Sequence, residues 1–141
     1  MSVQAVLFPL FVEVALTFVL LFWMGNVRTG AVRAGEVKIR DIALRQPNWP
    51  TRPTQISNAY ENQFELPVLF YVLTILELVT RQADLLFVVM AWLFVALRLG
   101  HAYIHVTTNW VPRRFSAFAA GAILLAVMWL IYMVRMVLVL R

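Results

Sequence analysis

Residues 85–106, LLFVVMAWLFVALRLGHAYIHV, decide the fold, because they carry no charged side chain before Arg98. About 20 consecutive apolar residues are enough for a helix to cross the hydrocarbon core of a bilayer. Backbone N–H and C=O groups find no water there, so they must pair internally, which a helix allows. The segment therefore predicts a membrane-spanning helix.

Three more apolar blocks of similar length occur at residues 5–24, 59–80 and 115–140. The whole chain is 62% hydrophobic and 13% charged, whereas soluble proteins are about 45–50% apolar and 25% charged. This composition excludes a soluble domain and a disordered chain. We predict one all-α domain over residues 1–141, an integral membrane four-helix bundle with helices at about 5–26, 58–80, 85–108 and 115–140.

Prolines mark two places where helices should break or bend. The stretch 46–53, QPNWPTRP, contains three prolines, which cannot continue a helix. It lies in the long first connection, which we place at residues 27–57. Pro67 falls inside the second apolar block, so we expect a kink there.

Basic residues predict the topology. The first connection carries six of them: Arg28, Arg33, Lys38, Arg40, Arg45 and Arg52. Loops rich in Lys and Arg stay in the cytoplasm, so we expect both termini outside it. No nucleic-acid-binding module accompanies the basic residues, and we expect lipid headgroups rather than nucleic acid as their partner.

Polar residues at membrane depth are expected to face a bundle interior or a cavity and to have a partner. Asn58, Asn62 and Glu65 share one face of the second predicted helix, and Arg98, His101 and His105 share one face of the third. Glu65 and Arg98 fall at similar depths, so the first prediction is a Glu65–Arg98 ion pair. That pair fits a purely structural role as well as a functional one.

The other end of the bundle contains Glu77 and Arg135, which we interpret as an interfacial pair or as snorkelling side chains. Glu13 lies near the middle of the first predicted helix. It needs a partner that the sequence does not identify, unless it is protonated or lies at a subunit contact. The two histidines lack a HExxH pattern and an evident third ligand, so we predict no metal site.

The ordered motifs N62-Q-F-E65-L-P-V-L-F-Y71, R98-L-G-H101-A-Y-I-H105 and R113-R-F-S116 on four short helices resemble the MAPEG family. The name stands for membrane-associated proteins in eicosanoid and glutathione metabolism. The resemblance covers essentially the whole chain. Within the family, the sequence resembles the prokaryotic-type branch. It implies a homotrimer that binds glutathione as co-substrate between subunits near the cytoplasmic face.

The resemblance also implies roles for individual residues. Arg114 matches the arginine that stabilises the glutathione thiolate in enzymatic members. The implied glutathione-binding residues are Arg28, Asn58, Asn62, Glu65, Arg98, His101 and His105. The expected activity is that of a glutathione transferase or peroxidase acting on a lipophilic electrophile, in a bacterial inner membrane.

Two departures from the family pattern favour an alternative. Asn58 and Glu61 stand where many glutathione-using members have arginine. This replaces one positive charge by a negative one and removes another, in a pocket for a ligand with two carboxylates. The alternative is a non-enzymatic lipid-binding or scaffold member of the family.

Overall fold

The computed structural model describes residues 1–139, and the side chain of Val139 lies outside this description. The described chain forms five α-helices: α1 Val3–Arg33, α2 Thr51–Glu61, α3 Leu66–Val79, α4 Leu85–Val106 and α5 Val111–Val139. Four segments of it are long and apolar enough to span a membrane: Val3–Arg33, Thr51–Val79, Leu85–Val106 and Val111–Leu138. The predicted all-α fold with four spans is confirmed.

The second span is broken rather than kinked. A short 3₁₀ turn, Asn62–Phe64, separates α2 from α3, and Glu65 leaves helical geometry with φ −97° and ψ −107°. Pro67 follows in the first turn of α3. Because its ring would clash with the carbonyl of Gln63 in a continuous helix and it has no N–H to donate, the break is placed just before it.

The first connection is shorter than predicted, since it covers residues 34–50 and not 27–57. Helix α1 continues to Arg33 and ends where Gly35, at φ +74°, donates its N–H to Val32. Helix α2 starts at Thr51, because Pro53 lies in its first turn, where a missing N–H costs no helical hydrogen bond. Apolar composition marks only the lipid-crossing part of a helix, and both helices extend past it.

The third connection also differs from the prediction. Helix α4 ends at Val106, and α5 begins at Val111 with Pro112 in its first turn. The predicted bounds of 108 and 115 are therefore both late. Arg113 and Arg114 belong to α5 and not to the loop, which places Arg114 one turn inside a helix.

Helix α4 is the central helix of the bundle. In its most apolar stretch of 18 residues, 44% is buried, against 22% in the corresponding stretches of α1 and α5. Phe94 of α4 stacks on Phe70 of α3 with ring centroids 4.7 Å apart, and both are fully buried. Ala102 packs with Leu20 and Ile56 on the side of α1 and α2. The polar residues of α4 are thus surrounded by the other helices.

Candidate functional site

A cavity of about 220 Å³ lies near the ends where α4 finishes and α5 begins. Four of the residues singled out from the sequence line it: Asn62, His101, His105 and Arg114. The remaining lining is apolar and comes from α5: Val111, Phe115 and Phe118. The cavity therefore combines one cationic side chain, two imidazoles and an amide with an apolar wall.

The histidines are placed by the helical repeat of α4. His101 and His105 lie one turn apart, and their rings meet edge to face with centroids 5.5 Å apart. Both are buried, and Nδ1 of each has no hydrogen-bond partner within the described chain. Phe118 covers His101 from α5, with ring centroids 5.9 Å apart. Two buried imidazole nitrogen atoms beside the cavity thus lack a hydrogen-bond partner among the described residues.

Arg114 is half-buried and lies in the first turns of α5. Its Nη1 donates a hydrogen bond to Oδ1 of Asn109, in the turn before the helix. Within residues 1–139, no carboxylate oxygen lies within ion-pair distance of this guanidinium. Arg114 therefore brings an uncompensated positive charge to the cavity.

Arg98 lies behind the cavity and is 1% exposed. Its Nη2 donates to the backbone oxygen of Asn62 at 3.2 Å and to Asn62 Oδ1 at 2.5 Å. The other side of the guanidinium faces Glu13 of α1, with Nε 3.6 Å from Oε1. Arg98 thus connects α1 and α4 to the break between α2 and α3.

The predicted Glu65–Arg98 ion pair is wrong. Glu65 is exposed, and its Oε2 accepts a hydrogen bond of 2.8 Å from Nδ2 of Asn62. Glu13 takes the place of Glu65 at Arg98, which also gives Glu13 its partner. The sequence comparison of depths paired Arg98 with Glu65, whereas the packing of α1 against α4 brings Glu13 to Arg98.

Arg28 and Asn58 line a different cavity, of about 490 Å³, between the first connection and α2. Arg28 Nη2 donates to Ser57 Oγ at 2.6 Å, and its guanidinium stacks 4.8 Å from the Trp49 ring centroid. In this chain these two residues and Arg114 therefore lie in separate cavities.

At the opposite end of the bundle, Arg135 pairs with Asp84, a partner that the sequence pattern did not predict. Nη2 of Arg135 lies 2.7 Å from Asp84 Oδ2. Glu77 is buried, and its Oε2 has no hydrogen-bond partner among the described residues. The predicted interfacial partner of Arg135 is therefore corrected to Asp84, because the α3–α4 turn brings this residue closer.

Asn109 was also missed as a site residue. Its φ of +50° is a left-handed conformation that Asn adopts more readily than most residues. The signal was present in the sequence, since a polar residue before Trp110 and Pro112 indicates a turn into a helix. Among residues 1–139, no group of three or more His, Cys, Asp or Glu side chains is placed to hold a metal ion.

The fold and this polar site define a multi-pass membrane protein with four spanning helices. The sequence model of the MAPEG family matches residues 6–134, nearly the whole chain, and the protein belongs to this family. Comparison with curated proteins and with solved structures gives no match.

Proposed function

We propose that the protein is a glutathione-dependent transferase or peroxidase of the membrane that acts on a lipophilic electrophile. The family to which it belongs includes such enzymes. The observation that carries the proposal is the cavity in which Arg114 presents an uncompensated charge beside two buried imidazoles. This donor set fits a thiol that ionises, because a nearby guanidinium favours the charged form of sulfur.

In this proposal each residue has a role that its chemistry supports. Arg114 holds the thiolate, and the proton that the thiol loses passes to water at the open side of the cavity. The thiolate sulfur then forms a bond to an electrophilic carbon, and the leaving group departs with the bonding electrons. The apolar wall of Phe115 and Phe118 receives the lipophilic substrate from the bilayer.

Asn62 and Glu65 bind the peptide part of glutathione in this proposal. Asn62 is fixed by Arg98, and Glu65 keeps an exposed carboxylate that is suited to an ammonium group. The assembly is a homotrimer in which a neighbouring copy closes the open side of the cavity. Arg28 and Asn58 then contribute from their own cavity, across the subunit contact.

The topology is part of the proposal. The basic connection and the Arg113–Arg114 end of α5 face the cytoplasm, where glutathione is present, and both termini lie outside it. The membrane is the bacterial inner membrane, and the family branch is the prokaryotic type. Cysteine accessibility labelling at Ser2 and at Lys38 in intact cells tests the orientation.

The test of function compares two adjacent arginines in the purified protein. Arg114→Ala removes the charge in the cavity, whereas Arg113→Ala removes an exposed side chain that stacks on Trp110. We expect kcat for conjugation of an aryl halide to fall by about 10²–10³ in Arg114→Ala, as for loss of one electrostatic donor in other active sites. Arg113→Ala should stay within a few-fold of wild type.

Calorimetry measures glutathione binding to the wild-type protein, and the absence of binding would contradict the proposal. If wild type and Arg114→Ala are equally inactive and neither binds glutathione, the protein is not a glutathione enzyme. Lipid that copurifies in the cavity would then support the alternative of a lipid-binding or scaffold protein.

A further inference from the structure

The backbone of the turn between α4 and α5 is held in one conformation by hydrogen bonds. Asn109 adopts φ +50°, and its N–H donates to the carbonyl of Ile104 at 2.7 Å. This bond closes the last turn of α4, where carbonyl groups otherwise lack partners. The left-handed conformation restricts the residue to those that tolerate it, chiefly Gly, Asn and Asp.

The same turn is held from the opposite side by α2. Gln55 Nε2 donates to the carbonyl oxygens of His105 and Thr107, at 2.8 and 3.2 Å. Arg52 Nη1 donates to the carbonyl oxygen of Val106 at 2.5 Å. The backbone from residue 105 to 109 is therefore fixed at both edges, and the Asn109 side chain has a defined direction.

That side chain points to Arg114, since its Oδ1 accepts a hydrogen bond from Nη1. A guanidinium has five N–H donors, so one bond to Asn109 leaves the others for a ligand. The acceptor is a neutral amide, and it leaves the positive charge uncompensated. A carboxylate at this place would orient the arginine equally well but would cancel its charge.

We propose that Asn109 is a positioning residue, which aims the Arg114 guanidinium into the cavity and keeps its charge available to an anionic sulfur. The inference rests on the proposed function, because the anionic sulfur is that of a bound thiol. It adds a specific requirement: the residue must accept a hydrogen bond, must be neutral, and must tolerate a left-handed backbone.

Two substitutions at Asn109 separate these requirements. Asn109→Asp keeps the shape and tolerates the backbone conformation but adds a negative charge beside Arg114. An opposite charge a few ångströms away lowers the pKa of an acid by about 1–3 units. Because Asp at this position cancels the Arg114 charge that favours the thiolate, the pKa of the bound thiol, and with it the activity profile of conjugation, should move to higher pH by about 1 unit. Asn109→Gly keeps the backbone but loses the amide, so kcat/KM should fall about tenfold or more with the pH profile unmoved, an order-of-magnitude loss typical of a lost orienting contact.

Thr108→Asp is the matched control, because it adds the same charge at an exposed position of the same turn. Its pH profile should stay at the wild-type position. If Asn109→Asp and Thr108→Asp give the same profile as wild type, the inference is overturned. If Asn109→Asp does not fold, the kcat/KM and pH profile of a folded Asn109→Gly variant still test the inference.

A second measurement does not depend on activity. In nitrogen-detected NMR of the arginine side chains, a hydrogen-bonded guanidinium rotates slowly about its Nε–Cζ bond. The Arg114 signal, assigned by its absence in Arg114→Lys, should show slow rotation in wild type and fast rotation in Asn109→Gly. Unchanged rotation would overturn the inference. If the wild type has no activity with thiols but the Arg114 rotation is still faster in Asn109→Gly, only the proposed function is overturned.

Discussion

Arg98 and Arg114 are two arginines near the same cavity, and they are held in opposite ways. Arg98 is 1% exposed and has a carboxylate, Glu13, at ion-pair distance. Arg114 is half-buried, and its guanidinium has only the neutral amide of Asn109 as a hydrogen-bond partner among the described residues.

The difference follows from the cost of burying charge. A guanidinium fully removed from water needs a counter-charge, since an unpaired ion in a low-dielectric interior costs several kcal/mol. A partly exposed guanidinium keeps enough solvent to remain unpaired, and its charge stays available to a ligand. Arg98 therefore serves the fold by fixing Asn62 and α1, whereas Arg114 can serve chemistry.

The largest effect is expected from breaking the buried pair. Glu13→Gln leaves the Arg98 charge buried without its carboxylate, so the free energy of unfolding should fall by about 3–5 kcal/mol. Unfolding in mixed detergent micelles measures it. Glu36→Gln, at an exposed loop position, should have little effect. The double variant Glu13→Leu/Arg98→Met should recover part of the loss, because it removes the buried charge but also the hydrogen bonds from Arg98 to Asn62. A Glu13→Gln variant as stable as wild type would contradict the assignment of Glu13 as the counter-charge of Arg98.

Arg135, at the other end of the bundle, is intermediate between Arg98 and Arg114, because it has a carboxylate partner but the pair is partly exposed. Asp84 caps α4 through the N–H of Phe87 at 2.9 Å and pairs with Arg135. Burial alone would raise the pKa of the Asp84 carboxyl. The hydrogen bond from Arg135, the N–H of Phe87 and the nearby positive charge together lower this pKa below its ordinary value.

Asp84 therefore contributes stability that is present at neutral pH and is lost as the pH falls through its lowered pKa. The free energy of unfolding should decrease below about pH 4. Asp84→Asn keeps the cap and should remove this acid dependence at a cost of about 0.2–1 kcal/mol, since the pair is partly exposed. Thermal unfolding from pH 6 to pH 2 measures the effect. If stability falls with pH equally in wild type and in Asp84→Asn, the predicted contribution of Asp84 is contradicted.

The smallest effect on stability is expected at Arg114. Arg114→Ala removes a charge that has no counter-charge in the described chain, so the free energy of unfolding should stay within about ±0.5 kcal/mol of wild type. The same detergent unfolding experiment tests this. A loss as large as that of Glu13→Gln would mean that Arg114 is a structural residue like Arg98.

Much of the fold was predictable because lipid imposes strong limits on sequence. Residues 85–106 could only be a spanning helix, and its start at Leu85 was predicted correctly. The helix ends at residues 33, 51 and 111 were missed. Past the hydrocarbon core, polar residues continue a helix as readily as they end it, so composition gives no boundary there.

The candidate site was predictable in part for a similar reason. The helical repeat places His101 and His105 on one face, and both line the cavity. The partner of Arg98 was not predictable, because the packing of α1 against α4, which brings Glu13 to Arg98, does not follow from the spacing of residues within either helix. Asn109 was missed because its role depends on a backbone conformation and on a contact five residues away.

The sequence by itself determined the number of membrane crossings, a distortion of the second span at Pro67 and the polar faces of single helices. Each of these depends on neighbours along the chain, through the helical repeat, the missing N–H of proline and the cost of placing charge in lipid. Only the tertiary structure decided which carboxylate neutralises Arg98 and which arginine keeps its charge. Those outcomes depend on how the helices are rotated against one another, which no spacing within one helix can specify.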